Sequence, residues 1–141
     1  MAVKIPFGLL QNLQQMEVVV SGPKRANRMF IVAGQFDTVL SSTSALSVSA
    51  SANETFSVLL GPKLTKKQFV RAIGTASLAK TQSTGGRPTW NILNVDADWN
   101  DASGQVELTI EAQVISAGAR KTTSINGFAF YVTILAALPA S

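Results

Sequence analysis

Apolar and polar residues alternate strictly along the stretch Gly104-Gln105-Val106-Glu107-Leu108-Thr109-Ile110-Glu111-Ala112-Gln113-Val114. In an extended chain Val106, Leu108 and Ile110 fall on one face, and Glu107 and Glu111 fall on the other. A period of two is typical of a β-strand that is buried on one side and polar on the other. We therefore expect the apolar face in the core and the glutamates toward solvent or a partner.

Similar runs, separated by turn residues, occur along the rest of the chain. The predicted strands are 15–21, 28–36, 44–60 with a break near 53–54, 69–79 after a short turn, 90–99, and 124–138 with Val132 and Ile134 in the core. Turns are predicted at 81–88, at 116–119, and at 100–104, where a hairpin leads into the first stretch. Thr65 and Gln68 have capping-box spacing, so a short helix near 65–72 is the alternative there.

Strands at this spacing, without a convincing long helix, predict an all-β fold. We expect a single-domain antiparallel β-sandwich, jelly-roll-like or Greek key, over residues 15–138. Residues 1–14 are predicted to form an N-terminal arm or a short helix near 5–14. Its apolar residues have no obvious partner in a two-sheet core, so Phe7, Leu10 and Leu13 are candidate contacts between subunits.

Charged residues are scarce and segregated along the chain. Only 14% of the 141 residues are charged, against an average of roughly 25%. The net charge is +4, and seven of the twelve bases form two small groups: Lys24, Arg25 and Arg28, then Lys63, Lys66, Lys67 and Arg71. Five of the eight acids lie between Asp96 and Glu111. This segregation predicts that Lys66, Lys67 and Arg71 of one subunit meet Asp96 and Asp98 of the next.

The chain contains no histidine and no cysteine. It therefore lacks the usual general base, the soft metal ligands and the thiol nucleophile, and we expect neither an enzyme nor a cofactor. Asp96, Asp98, Asn100 and Glu107 have the spacing of a calcium-binding loop, but Asp101 stands where the tight-turn glycine is needed. We expect a polar hairpin turn here rather than a tight cation site.

The positions of the two tryptophans in the predicted strand 90–99 are compatible with two arrangements of their side chains. In a regular strand Trp90 and Trp99 fall on opposite faces, so one of them points outward and, with Asn94, forms a candidate sugar-binding surface. A bulge or an edge position would instead turn both rings into the core. The sequence does not decide between these arrangements.

These patterns favour a non-enzymatic structural protein, a self-associating subunit of a shell, tail or filament. The alternatives are a lectin-like module that uses an outward tryptophan, and non-specific nucleic-acid binding through the basic loops. Nucleic acid is not the expected partner, because few aromatic residues accompany the bases. The expected partners are the protein itself, other structural proteins or a glycan. No signal peptide or membrane span is predicted, so we expect cytoplasmic synthesis and a place in an assembled particle.

Overall fold

The described residues form eight β-strands in two sheets. The structure is a computed structural model that describes residues 2–21 and 26–138. The strands are β1 Val3–Lys4, β2 Gln11–Ser21, β3 Ala26–Thr43, β4 Ala50–Leu60, β5 Phe69–Ser83, β6 Thr89–Trp99, β7 Val106–Ser116 and β8 Thr122–Leu138. One turn of 3-10 helix, Phe7–Leu9, lies between β1 and β2.

The two sheets pack face to face. The first has the strand order β1-β4-β7-β6, and the second has the order β2-β3-β8-β5. Neighbouring strands are antiparallel except for β1, which runs parallel to β4. The prediction of an all-β antiparallel sandwich is confirmed, with β1 as the one parallel strand among those described.

The core lies between the inner faces of the two sheets. Along β7, Val106, Leu108 and Ile110 are buried while Glu107 and Glu111 stay partly exposed on the outer face. Across the core, β8 contributes buried residues at the alternate positions Phe128, Phe130, Val132, Ile134 and Ala136. Phe36, Phe56, Phe128 and Phe130 form a cluster with ring centroids 5.4 to 6.3 Å apart. The faces predicted for the two strands are confirmed.

The predicted hairpin joins β6 to β7. The carbonyl oxygen of Asn100 accepts a hydrogen bond from the Gly104 N–H at 2.8 Å. Its side-chain Oδ1 accepts another from the Ser103 N–H at 2.9 Å. Gly104 has φ +72°, a left-handed conformation that disfavours residues with a Cβ. Local side-chain bonding and one glycine therefore close this turn.

The predicted break in the segment 44–60 is in the wrong place. Residues 44–49 form a loop, and β4 runs without a break through Asn53 and Glu54, which are in register with β7. The Ser44 hydroxyl donates to the Gly118 carbonyl, and the Ser44 N–H donates to that of Lys121. These bonds hold the chain in a crossing between sheets, although the sequence of 44–49 alternates like a strand.

The region 65–83 is a turn followed by a strand, as predicted, and no helix forms there. The Thr65 N–H donates to the Gln68 side chain at 2.9 Å, and the Gln68 N–H donates to the Thr65 hydroxyl at 3.3 Å. This capping box closes one turn before β5 begins at Phe69. The loop predicted at 81–88 begins only after Ser83, because β5 stays paired with β8 up to that residue.

Two further strands are longer than predicted. β3 extends to Thr43 because it also pairs with the long strand β8. β2 begins at Gln11, so residues 11–14 of the segment expected as an arm belong to a strand of the second sheet.

Candidate interaction surfaces

The outer face of the second sheet carries an apolar band. Two rows of residues in register cross its four strands: Val18, Met29, Leu135 and Arg71, then Met16, Ile31, Thr133 and Ile73. We call these eight residues the outer band. Met16 is 60% exposed and Ile73 is 62% exposed. Six of the eight side chains are apolar on a face that alternation would make polar.

The outer band was not predicted from the sequence, although the sequence contains a signal for it. Val18, Val19 and Val20 are consecutive, so apolar side chains occupy both faces of β2. Met29 and Ile31 likewise alternate with the core residue Phe30. A strand that is apolar on both faces calls for cover on both faces, and only one face of this sheet packs against the other sheet.

The outer face of the first sheet is acidic along β6 and β7. We call Asp96, Asp98, Glu107 and Glu111 the acidic face. Asp98 lies directly opposite Glu107, a pairing of like charges that destabilises a sheet. Among the described residues the only ion pairs are Arg28–Glu17 and Lys80–Asp37, so none of the four acids has a described basic partner.

The calcium-like spacing does not produce a group of ligands. Asn100 Oδ1 accepts hydrogen bonds from the N–H and the hydroxyl of Ser103, and Asp98 Oδ1 accepts one from the Trp99 N–H. In the part of the chain that the structure describes, no three His, Cys, Asp or Glu side chains are grouped so as to hold a metal ion. The oxygens of Asn100 are committed to closing the hairpin.

The bases predicted to contact acids are exposed. Lys66 and Lys67 lie in the loop between β4 and β5, and Arg71 lies at the start of β5 within the outer band. Arg71 and the acidic face are therefore on different sheets, pointing away from each other. Lys24 and Arg25 of the other basic group lie outside the described residues.

Both tryptophans are on the inner face, so of the two arrangements that the sequence left open, the one with a bulge forms. The register of β6 shifts between Ile92 and Asn94, and this bulge restores Val95, Ala97 and Trp99 to the side that Trp90 occupies. The Trp90 indole N–H donates to the Ser124 carbonyl at 2.9 Å.

Near the far end of β6, the Trp99 indole N–H donates to the Leu64 carbonyl at 3.0 Å. Trp99 lies nine positions after Trp90, a distance of about 30 Å along an extended strand. Trp90, Asn94 and Trp99 therefore do not form one surface.

The N-terminal segment is only partly exposed. Ile5, Leu10 and Leu13 pack against the core. The expectation that the apolar residues of this segment have no partner in the sandwich is therefore wrong for these three. Phe7 and Leu9 are 61% and 60% exposed. Phe7 also lines a groove of about 700 Å³, together with Lys4, Leu59 and Glu107. Of the predicted contact residues in this segment, Phe7 keeps an exposed apolar surface.

An ion pair crosses the second sheet over a glycine. Lys80 Nζ of β5 and Gln11 Nε2 of β2 donate to the Asp37 carboxylate of β3 at 2.7 and 3.0 Å. Asp37 and Lys80 are both in register with Gly127 of β8, where a Cβ would lie 3.3 Å from the carboxylate. The hydrogen bonds from Lys80 and Gln11 lower the pKa of Asp37. The group therefore ties three strands together at the surface.

The described residues include no helix long and apolar enough to cross a membrane. No protein-family model, curated protein or solved structure matches this chain.

Proposed function

We propose that this protein is a non-enzymatic structural subunit that self-associates into a larger homo-oligomer of the shell, tail or filament type. The observation that carries the proposal is the outer band. Contiguous exposed apolar surface on a soluble protein marks an interaction site more often than a free surface. Self-association would cover these side chains and supply the burial that the second sheet lacks on its outer side.

The distribution of charge supports the same proposal. The acidic face and Arg71 lie on the outer faces of different sheets, and among the described residues no ion pair joins them. Copies arranged head to tail would bring the bases of one copy to the acids of the next. Such pairs select the correct neighbour and orientation more than they add affinity.

The absence of histidine and cysteine supports a non-enzymatic role. The described acids of the acidic face are exposed or partly exposed and lie on a sheet surface, where solvent is not excluded. Acid–base pairs in active sites depend on burial and on unequal environments. A charged contact surface fits these acids better.

Native mass in solution tests the proposal. We expect a multiple of the 14.9 kDa chain mass by sedimentation or light scattering. Ile73→Lys, which places a charge in the outer band, should lower that mass. Val48→Lys is the matched control, because Val48 is 64% exposed but lies in the loop between β3 and β4. A wild-type protein that stays monomeric at high concentration refutes the proposal.

A further inference from the structure

The strand β2 forms an open edge of the second sheet. It pairs with β3 on one side, and no described strand pairs with its other side. Alternate residues of such an edge direct their N–H and C=O groups outward, available to another chain. The register of β2 is irregular between Gln11 and Gln14, where Asn12 has φ +51°. From Gln14 to Ser21 the pairing with β3 is regular, and so this part of the strand offers a straight edge.

This straight edge lacks the usual protection against pairing. Natural edges carry proline, lysine, bulges or uncompensated charges that discourage other strands. The segment 14–21 contains no proline, glycine or lysine. Its single charge, Glu17, is neutralised by Arg28 of its own chain at 2.6 Å. Val18, Val19 and Val20 are 39 to 54% exposed. The edge is therefore apolar, neutral and open.

We infer that β2 of one copy pairs antiparallel with β2 of a second copy about a two-fold axis at Val18. This inference rests on the proposed self-association and identifies the edge of β2 as a contact surface between two copies. Two four-stranded sheets would join into one continuous sheet. On its outer side Val18 meets Val18 of the second copy, and Met16 meets Val20. The outer bands of the two copies thereby become continuous.

The charge pattern selects this register over its neighbour. An axis at Glu17 would place two carboxylates directly opposite each other, which disfavours pairing. An axis at Val18 places Glu17 opposite Val19 and leaves each Glu17–Arg28 pair intact. On the outer side it also matches apolar residues with apolar residues, Val18 with Val18 and Met16 with Val20. The strand is thus complementary to itself, as a two-fold interface requires.

Cysteine cross-linking tests the register, because the natural chain has no cysteine. Directly opposite residues in an antiparallel pair have Cα atoms about 4.5 or 5.5 Å apart, within the roughly 4.4–6.8 Å range of disulfides. Val18→Cys should therefore form dimers rapidly under mild oxidation. Val20→Cys is the matched control: its two copies would lie about 13 Å apart along the strands. A mixture of Met16→Cys and Val20→Cys should form mixed dimers.

Charge substitution at the axis supplies a second measurement. Val18→Lys and Val18→Glu should each weaken self-association roughly tenfold or more, because like charges meet at the axis. Mixing these two variants should restore a heterodimer. Val39→Lys, at a 73% exposed position of β3, should leave the native mass unchanged.

The outcomes separate this inference from the proposed function. If the wild type is oligomeric but Val18→Cys cross-links no faster than Val20→Cys, the β2 interface is wrong and self-association stands. If the wild type is monomeric at every concentration, both fail. Rapid cross-linking at Val18, mixed dimers from Met16→Cys with Val20→Cys, and rescue by opposite charges would together establish the interface.

Discussion

Gly74 allows the two sheets to approach each other closely at one point of the core. It lies on β5 in register with Val132, so a side chain here would point inward. An added Cβ would lie 2.7 Å from Leu108 Cδ1 and 3.2 Å from the Ala97 Cβ. Leu108 is fully buried. We therefore predict that Gly74→Ala is destabilising, and that Leu108 is the cause.

The close contacts of the added Cβ indicate the expected changes in the free energy of unfolding. Gly74→Ala forces a core contact that typically costs about 1–3 kcal/mol, offset by about 0.4–1 kcal/mol from the reduced freedom of the unfolded chain. Leu108→Ala removes a buried aliphatic side chain and should cost about 2–5 kcal/mol. In the Leu108→Ala background the clashing atom is absent, and only the tight contact with Ala97 remains. Gly74→Ala should then be nearly neutral, a coupling of about 1–2 kcal/mol.

These values form a double-mutant cycle of four proteins: the wild type, Gly74→Ala, Leu108→Ala and the double variant. Urea denaturation of all four at one protein concentration measures the free energy of unfolding of each. Val114→Ala is the control background, because Val114 is equally buried on β7 but is not among the atoms that an added Cβ would meet. Gly74→Ala should keep its full cost there. An equal cost of Gly74→Ala in the wild-type and Leu108→Ala proteins would refute the packing described here.

Three other perturbations test the outer faces and the surface ion pair. Glu111→Gln should change the free energy of unfolding by less than about 0.5 kcal/mol; if it proves more damaging than Leu108→Ala, the faces of β7 are exchanged. The lowered pKa of Asp37 means that its contribution to stability is present above the unfolded pKa of about 3.9 and is lost as the pH falls through the lower folded value. In the Asp37→Asn variant the melting temperature should therefore fall less on acidification than it does in the wild type. If the two proteins lose melting temperature equally, the Lys80–Asp37 bond is not the cause of the loss. Asp96→Asn with Asp98→Asn should weaken assembly at low salt and leave the monomer's melting temperature nearly unchanged. A calcium-dependent rise in melting temperature that this double substitution abolishes would instead reveal a cation site.

The sequence predicted those strands that have one apolar and one polar face. Burial of β7 alternates along its whole length, and the β6–β7 hairpin forms at the expected turn. In these segments the local pattern and the tertiary structure impose the same period. Strand lengths were underestimated for β3 and β5, because pairing with the long strand β8 extends them into polar sequence.

The candidate interaction surfaces were harder to predict than the strands. They depend on positions where a bulge or a loop interrupts the alternation of inner and outer residues. One bulge in β6 reverses the face of every later residue, and it moves Trp99 from the outer side to the inner side. No residue type in the segment 92–94 marks that bulge. The loop 44–49 shows the converse: its residues alternate, but none of the described strands pairs with them, and Leu46 and Val48 remain exposed.

The strand β2 shows why alternation alone cannot decide which surface is buried. Val18 and Val20 face outward while Val19 faces inward, so either phase gives an apolar face. What distinguishes this strand is its place at the edge of the sheet, where β3 is the only described strand that pairs with it. Apolar residues on both faces raise the free energy of an edge strand in water, and a second chain can bury them while also satisfying the open backbone groups. The β2 edge is thus the place where assembly would stabilise this sandwich most directly.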